Sequence, residues 1–460
     1  MPTENKNPKP TEIVPDYSQI HYWELYTADL WNEYRQSFDE GADIEKHKNL
    51  FEEIAKLPNG NIKEKFGDAI FEMITNAGQR EDYKYYEPSE LDEIKALTTD
   101  FKLHAPLDKT RLQSKVTGAW FGRICGCMLG KSIEGIKSRE LERLLKKSGN
   151  YPMHRYILKS DIDRLNLNDF EFRLADRPYA DIIDGMPADD DTNYTFLAQR
   201  IIEKHGRDFT PLNVLEEWIA SEPKDAYCTA ERVAFCNYIK GYRPPFTALH
   251  KNPYREWIGA QIRADYYGYI NPGKPETAAE YAWRDASISH TKNGIYGAMF
   301  VAAMLSAAAV TENIRDIITI GLSQIPSSSR LYESVMSVVN GYENSVSKEK
   351  CFARIHREYD EYSEYGWCHT IPNAMIVVAS LLYGNGDYGK SICMAVETGF
   401  DTDCNGATVG SVLGMANGIE KIPQYWLEPI KNTLHTSVFG AESVNISDLI
   451  KKTLLQIAEA

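Results

Sequence analysis

Apolar residues recur at three- and four-residue steps along most of the chain, so helices are expected throughout. Trp23, Tyr26, Leu30, Tyr34 and Phe38 trace one amphipathic face, and Ile62, Phe66, Ile70 and Met73 trace another. Asn61 stands where a helix wants an N-cap, and Gly78 where a left-handed residue closes one. Ser89 with Asp92 has the spacing of a capping box, opening a short helix through Ala96. This first stretch is charged and aromatic, and it holds no cluster of His, Cys or paired carboxylates on a Gly-rich loop. Residues 1–108 are therefore read as an accessory helical region, ending in a polar linker near Thr98–Lys109.

The pattern then changes. Gly118, Gly122, Gly126 and Gly130 recur every four residues, which lines one helix face with glycine and lets a neighbouring helix approach closely. Thr210-Pro211 is an N-cap and N1 pair for a helix reaching Ala220. Helical periodicity continues at 293–310, 328–340, 371–383, 389–398 and 406–418. Alternating β-type runs are few, and no internal repeat is visible. The fold class is all-α, with residues 109–460 forming the larger helical domain. Gly294–Val310 comes nearest to a membrane span, but it is short and rich in Gly and Ala, so it is read as a helix buried in a helical core.

At 460 residues the chain exceeds what one small core needs, and 43% hydrophobic with 25% charged residues excludes a mainly disordered protein. The net charge of −15 repels phosphate backbones over most of the surface, which argues against general nucleic-acid binding. A local basic pocket for a phosphorylated small ligand stays compatible with that balance. Eight cysteines are too sparse for a disulfide scaffold, and none forms a paired CxxC array. The start, MPTENKNPKPTE, has no apolar core, so no signal peptide is expected there. A reduced, cytoplasmic protein follows, with no membrane association and with oligomerisation left open. No Walker A, GxGxxG or GxSxG pattern is present, so kinase, dehydrogenase and serine-hydrolase readings lack support.

Three segments place carboxylates beside Gly in apolar surroundings. Asp189, Asp190 and Asp191 directly precede an apolar helix, where its dipole favours negative charge, yet three together repel unless a cation or solvent neutralises them. A solvated acidic cap is the competing reading. Asp401-Thr402-Asp403-Cys404 lies between two apolar helices, where unpaired carboxylates would be costly; a solvated loop competes here too. Clustered oxygen donors of this kind suit Mg²⁺, Mn²⁺ or Ca²⁺ rather than zinc, and at least four carboxylates suffice for two divalent cations. Joining the two segments requires a contact across 210 residues, from Asp191 to Asp401. Glu134 follows the glycine-striped helix on a loop where a carboxylate can be aimed, against the ordinary alternative of a surface Glu. His369, in GWCHTIPNA, is a candidate ligand contact beside Trp367, although a satisfied structural His is the more frequent use of such a residue. The tyrosines of YYGY at 266–269 are read as a packed aromatic wall.

Together these segments resemble the ADP-ribosylglycohydrolases. That family runs G-A-x-x-G-x-A-x-G-D-A-x-G-x-P-x-E, then T-D-D-T, then D-x-D-T followed by a small-residue helix. This chain reads GAWFGRICGCMLGKSIE from Gly118, DDDT from Asp189 and DTDC from Asp401, in the same order. SHTKNGIYGAMFVAAM from Ser289 is similar to the family's central helix, and GAQIR from Gly259 to its phosphate-loop segment. The resemblance covers about residues 112–425. It implies an all-α catalytic domain and a site for two divalent cations, Mg²⁺ first, with Mn²⁺ or Ca²⁺ as alternatives. By that resemblance Asp190, Asp191, Asp401 and Asp403 are ligands, Glu134 with Asp191 carries catalysis, and Gly259, Arg263 and His290 line the ADP-ribose cleft.

Three positions depart from the pattern. Asp189 stands where the family has Thr, Cys404 where it has Thr after D-x-D, and Cys127 where it has Asp. Asp189 can add a metal ligand and so compensate for Cys404, whose thiol is a poorer ligand for Mg²⁺; both are counted in the expected metal shell. The expected function is metal-dependent hydrolysis at the anomeric carbon of ribose in an ADP-ribosylated or related nucleotide substrate. Two alternatives stand beside it: an N-glycosidase of nucleosides or glycosides on the same fold, and a non-catalytic ADP-ribose- or nucleotide-binding protein.

Overall fold

In the computed structural model, which describes residues 15–101 and 106–458, the chain divides into two units. One comprises the residues up to Tyr83 together with Lys251–Tyr254, and the other Lys84–His250 and the residues from Arg255 onward. The polar start at Met1–Glu12 and part of the expected linker lie outside the described residues.

In the first unit, helices α1 (Leu30–Asp39), α2 (Lys48–Ala55) and α3 (Asn61–Thr75) enclose Tyr26, Leu30, Tyr34, Ile44, Phe51, Ile54 and Ile70. The amphipathic face expected from Trp23 becomes α-helical only at Leu30. Before it, Tyr22–Glu24 and Tyr26–Asp29 are 3-10 turns separated by an extended Leu25, and the His21 ring caps the first of them by accepting the Trp23 N–H at 3.3 Å. Helix α3 takes Gly60 rather than Asn61 as its N-cap, and it ends before Gly78 because Asn76 turns its side chain back onto the Glu72 carbonyl at 2.8 Å.

In the second unit a short helix spans Leu91–Ala96, but Ser89 does not cap it; its hydroxyl instead accepts the Lys292 N–H at 3.0 Å. Further on lie α4 (Leu112–Lys131), α5 (Asp190–His205), α6 (Gly259–Arg263), α7 (Pro275–Ala286), α8 (Lys292–Ala308), α9 (Thr370–Gly384), α10 (Tyr388–Glu397) and α11 (Thr402–Asn417). Thr210 is the expected N-cap and opens the helix Pro211–Ser221, where it also forms a capping box with Asn213. Every residue of α8 after Lys292 is buried, with α6, α7, α9 and α11 packed around it. This is the apolar stretch nearest to a membrane span, and no helix among the described residues is long and apolar enough to cross a membrane. Among the described residues two strands, β1 (Thr433–His435) and β2 (Ser443–Asn445), pair antiparallel with Leu434 opposite Val444.

The closest helix pair is α4 against α11. A Cβ on Gly118, Gly122 or Gly126 would collide with the carbonyl oxygen of Gly414, Gly410 or Gly406 respectively, and a Cβ on Gly130 with the backbone of Thr402 and Asp403. The reciprocal clashes hold for Gly406, Gly410 and Gly414. The glycine stripe on α4 therefore meets a second stripe at the same four-residue spacing, and backbone packs on backbone. This seam fixes where the acidic start of α11 lies relative to the end of α4.

Candidate functional site

Both acidic segments open helices. Asp189 is the N-cap of α5, its Oδ1 accepting the Asp191 N–H at 2.9 Å, and Asp401 is the N-cap of α11. The chain enters Asp189 under the control of β1: Met186 bonds to Thr433 and His435 through its backbone, at 2.9 Å each. It enters Asp401 through two left-handed residues, Gly399 (φ 80°) and Phe400 (φ 57°). An aromatic residue held there is strained, and the Trp367 indole N–H holds it by donating to the Phe400 carbonyl at 2.5 Å. Asn373 ties the segment down from α9. Its Oδ1 accepts from the Asp401 N–H at 3.3 Å and from the Asn405 amide at 2.8 Å, while its Nδ2 donates to the carbonyls of Trp367 and His369 at 2.9 Å. The Thr402 hydroxyl donates to the Gly130 carbonyl at 3.1 Å and so locks the start of α11 onto the end of α4.

The seam brings the separated carboxylates together. Donor atoms of Cys127, Asp189, Asp191 and Asp403 lie within 4.8 Å of one another, as do those of Asp401, Asp403 and Cys404. Asp403 belongs to both groups. Asp190 lies in neither and is only half-buried. Two unit charges 4.8 Å apart repel by about 3.5 kcal/mol at an effective dielectric of 20, so the arrangement is strongly biased toward protons or cations. Burial first, and then the charges of Glu134, Asp189 and Asp401, push the Asp403 carboxyl well above its ordinary range. Burial and then Glu134 push Asp401 up to about 6. Asp190 and Asp191 rise as well, chiefly by burial, Asp191 against the opposing pull of Arg123. Burial followed by neighbouring carboxylates likewise holds the thiols of Cys127 and Cys404 well above the usual cysteine range.

Two cations were not among the expected site residues. Lys131, the last residue of α4, places its ammonium 2.7 Å from Asp189 and 3.4 Å from Glu134. Burial raises the Asp189 carboxyl, but Lys131 overrides it and leaves the group below its ordinary value. Arg123, fully buried on α4, pairs with Asp191 at 2.9 Å and Asp265 at 3.0 Å. Its position within the apolar spacing of α4 is the one sequence signal it offered, since a charge on a face otherwise built of core residues must find a partner. Asn373 sits inside an apolar helical run in the same way, and the sequence offered no other signal for it.

Glu134 stands on the turn after α4, more than a third of its side chain open to solvent, with the turn fixed by Arg177 bonding to the Ser132 and Glu134 carbonyls. The expected phosphate loop is instead a fully buried helix, α6. Arg263 pairs there with Glu231 and Asp285 and donates to the Ser289 hydroxyl at 2.8 Å, while Gly259 lets the Glu231 carboxylate lie against the backbone. A phosphate could reach Arg263 only by breaking these bonds. His290 is also buried: its Nδ1 meets the Ser289 hydroxyl at 2.8 Å, and burial with the Arg263 charge pushes its pKa well below the usual range, leaving it neutral. His369 caps α9, accepting the Ile371 N–H at 3.2 Å, with its Nε2 3.5 Å from Glu256. Its reach toward the carboxylates is indirect, through Asn373.

The chemistry of the donor set suits a hard cation. Aspartate oxygens dominate it, and the buried Asp403 Oδ1 carries no hydrogen bond. Comparison with known proteins identifies the family. The family described as ADP-ribosylglycohydrolase matches residues 108–458, well over half of the chain. The chain is also similar to a solved structure described as "ADP-ribosylglycohydrolase-related protein complex", at 17% identity and a TM-score of 0.48, over 76% of this chain and 99% of that one. No curated protein matches.

Proposed function

The chain belongs to the ADP-ribosylglycohydrolase family and is a glycosidic-bond hydrolase; on that basis we propose that it cleaves the bond at the anomeric ribose carbon of an ADP-ribosylated substrate, with divalent-cation dependence, Mg²⁺ foremost. The supporting observation is the convergence of two acidic helix N-termini on Asp403, whose buried Oδ1 has no hydrogen bond. Bound divalent cations would supply positive charge that orients the ribose hydroxyls and the attacking water. Asp401 and Asp403 would hold that charge, while Asn373 and the glycine seam fix the Asp401 backbone against α4. Glu134, partly open to solvent on its turn, receives the proton of the attacking water as the water oxygen bonds to the anomeric carbon. The C–leaving-group bond breaks in the same displacement, and the departing group takes up a proton from solvent, to which Glu134 then releases the one it received. The Cys127 and Cys404 thiols within the two donor groups favour a second reading, an ADP-ribose-binding protein without turnover.

One experiment separates these readings. Protein ADP-ribosylated on arginine or on serine, and free nucleosides, are incubated with the full chain in Mg²⁺ or in EDTA. The proposal expects release of ADP-ribose in Mg²⁺ alone and at least 100-fold less from Glu134→Gln, because an amide cannot accept the proton. Binding of ADP-ribose without release would support the second reading, and nucleoside cleavage alone would move the substrate class.

A further inference from the structure

The two donor groups that meet at Asp403 are not equivalent, and the difference lies in Lys131. We propose that the Lys131 ammonium is a resident cation of this site: it occupies the charge position of the Cys127–Asp189–Asp191–Asp403 group, so that the chain binds one divalent ion, at Asp401–Asp403–Cys404, rather than two. The inference rests on the metal dependence proposed above.

In the first group the two unshared carboxylates, Asp189 and Asp191, each already face a cation. Asp189 Oδ1 accepts the Asp191 N–H at 2.9 Å, and its Oδ2 lies 2.7 Å from the Lys131 ammonium. Asp191 Oδ1 is bonded to the buried Arg123 guanidinium at 2.9 Å. The remaining member that is not shared, Cys127, offers sulfur, a poor donor for a hard cation. An ion bound to Asp189 Oδ2 at about 2.1 Å would lie within about 5 Å of an ammonium, and each would repel the other in a site that water barely reaches. The ammonium is already present, tethered to the end of a helix whose position the glycine seam fixes.

The second group also carries a thiol, Cys404, but its charge balance differs. No lysine or arginine among the described residues lies within ion-pair distance of Asp401 or Asp403. Asp403 Oδ1 is buried with no hydrogen bond, and the Asp401 and Asp403 oxygens approach one another within 4.8 Å. That is where uncompensated charge remains, and where one divalent ion would go.

The test counts metal. Full-length protein is equilibrated with Mn²⁺ alone, its content measured by atomic spectrometry and the bound ion examined by electron paramagnetic resonance. Wild type is expected to hold one Mn²⁺ per chain with a mononuclear spectrum. Lys131→Met, which removes the charge and keeps the length, should hold two with a spin-coupled spectrum, while Lys131→Arg should stay at one. Two Mn²⁺ per chain in wild type would overturn the inference and leave the metal-dependent reading standing, as would Lys131→Met that folds by circular dichroism yet still holds one. No Mn²⁺ in wild type would remove the metal-dependent reading itself, and this inference with it.

Discussion

Replacing Asp403 by Asn takes one charge out of the point where both donor groups meet while leaving the side chain nearly isosteric. Its donor atom lies within 4.8 Å of those of Asp189, Asp191 and Asp401, and each full charge pair at that distance costs about 3.5 kcal/mol at an effective dielectric of 20. Lys131 and Arg123 offset the charges of Asp189 and Asp191, so Asp401 is the neighbour that counts most. Protonation relieves part of the remainder, because burial and then Glu134, Asp189 and Asp401 raise the Asp403 carboxyl. A folded-state pKa above the unfolded value means that the native state holds its proton longer, so stability is lost as pH rises from the unfolded value toward the folded one. Metal-free Asp403→Asn should accordingly be more stable than metal-free wild type by roughly 1–3 kcal/mol, with the difference larger at pH 8 than at pH 6. Urea denaturation in EDTA at both pH values measures it. Added Mg²⁺ should then stabilise wild type and leave the variant nearly unchanged. A variant less stable than wild type in EDTA at pH 8, or one gaining as much from Mg²⁺, would refute the reasoning.

Other consequences follow from the packing. Gly126→Ala drives a Cβ into the Gly406 carbonyl and should destabilise by at least about 3 kcal/mol or prevent folding, while Gly78→Ala, with nothing near its Cβ, should shift urea midpoints by less than about 0.5 kcal/mol equivalent. Arg263→Leu leaves Glu231 and Asp285 buried without their cation and should cost about 3–5 kcal/mol in denaturation; wild-type stability with lost ADP-ribose binding would instead favour a direct ligand role. His290, disfavoured as a cation by burial and by Arg263, should titrate by NMR well below an ordinary histidine, and a midpoint at or above the ordinary value would contradict its placement.

What could be read from the chain alone was the chemistry-bearing punctuation. Gly118 to Gly130, Asp189 to Asp191 and Asp401 to Asp403 stand out because glycine at helical spacing and carboxylates in apolar runs are costly unless used. The partner stripe at Gly406, Gly410 and Gly414 went unread, although its spacing is the same, because one stripe does not say which helix it meets. Lys131 and Arg123 were hidden for a related reason: whether a lysine ending a helix faces solvent or a carboxylate is decided by a contact made far along the sequence. Arg263 shows the reverse. The likeness of its segment to the family's phosphate loop says nothing of Glu231 and Asp285, which the fold brings onto its guanidinium. Local capping was legible where side chain and backbone lie within one turn, as at Thr210, and failed at Ser89, whose hydroxyl is taken by Lys292.

The most direct test of the account is ADP-ribose release from an ADP-ribosylated protein by the full chain, measured in Mg²⁺, after EDTA, and after Mg²⁺ is restored, beside Asp403→Asn under the same conditions. The account predicts release that is lost in EDTA, regained with Mg²⁺, and absent from the variant throughout while its fold persists. Release that continues undiminished in EDTA, or from Asp403→Asn, would contradict it.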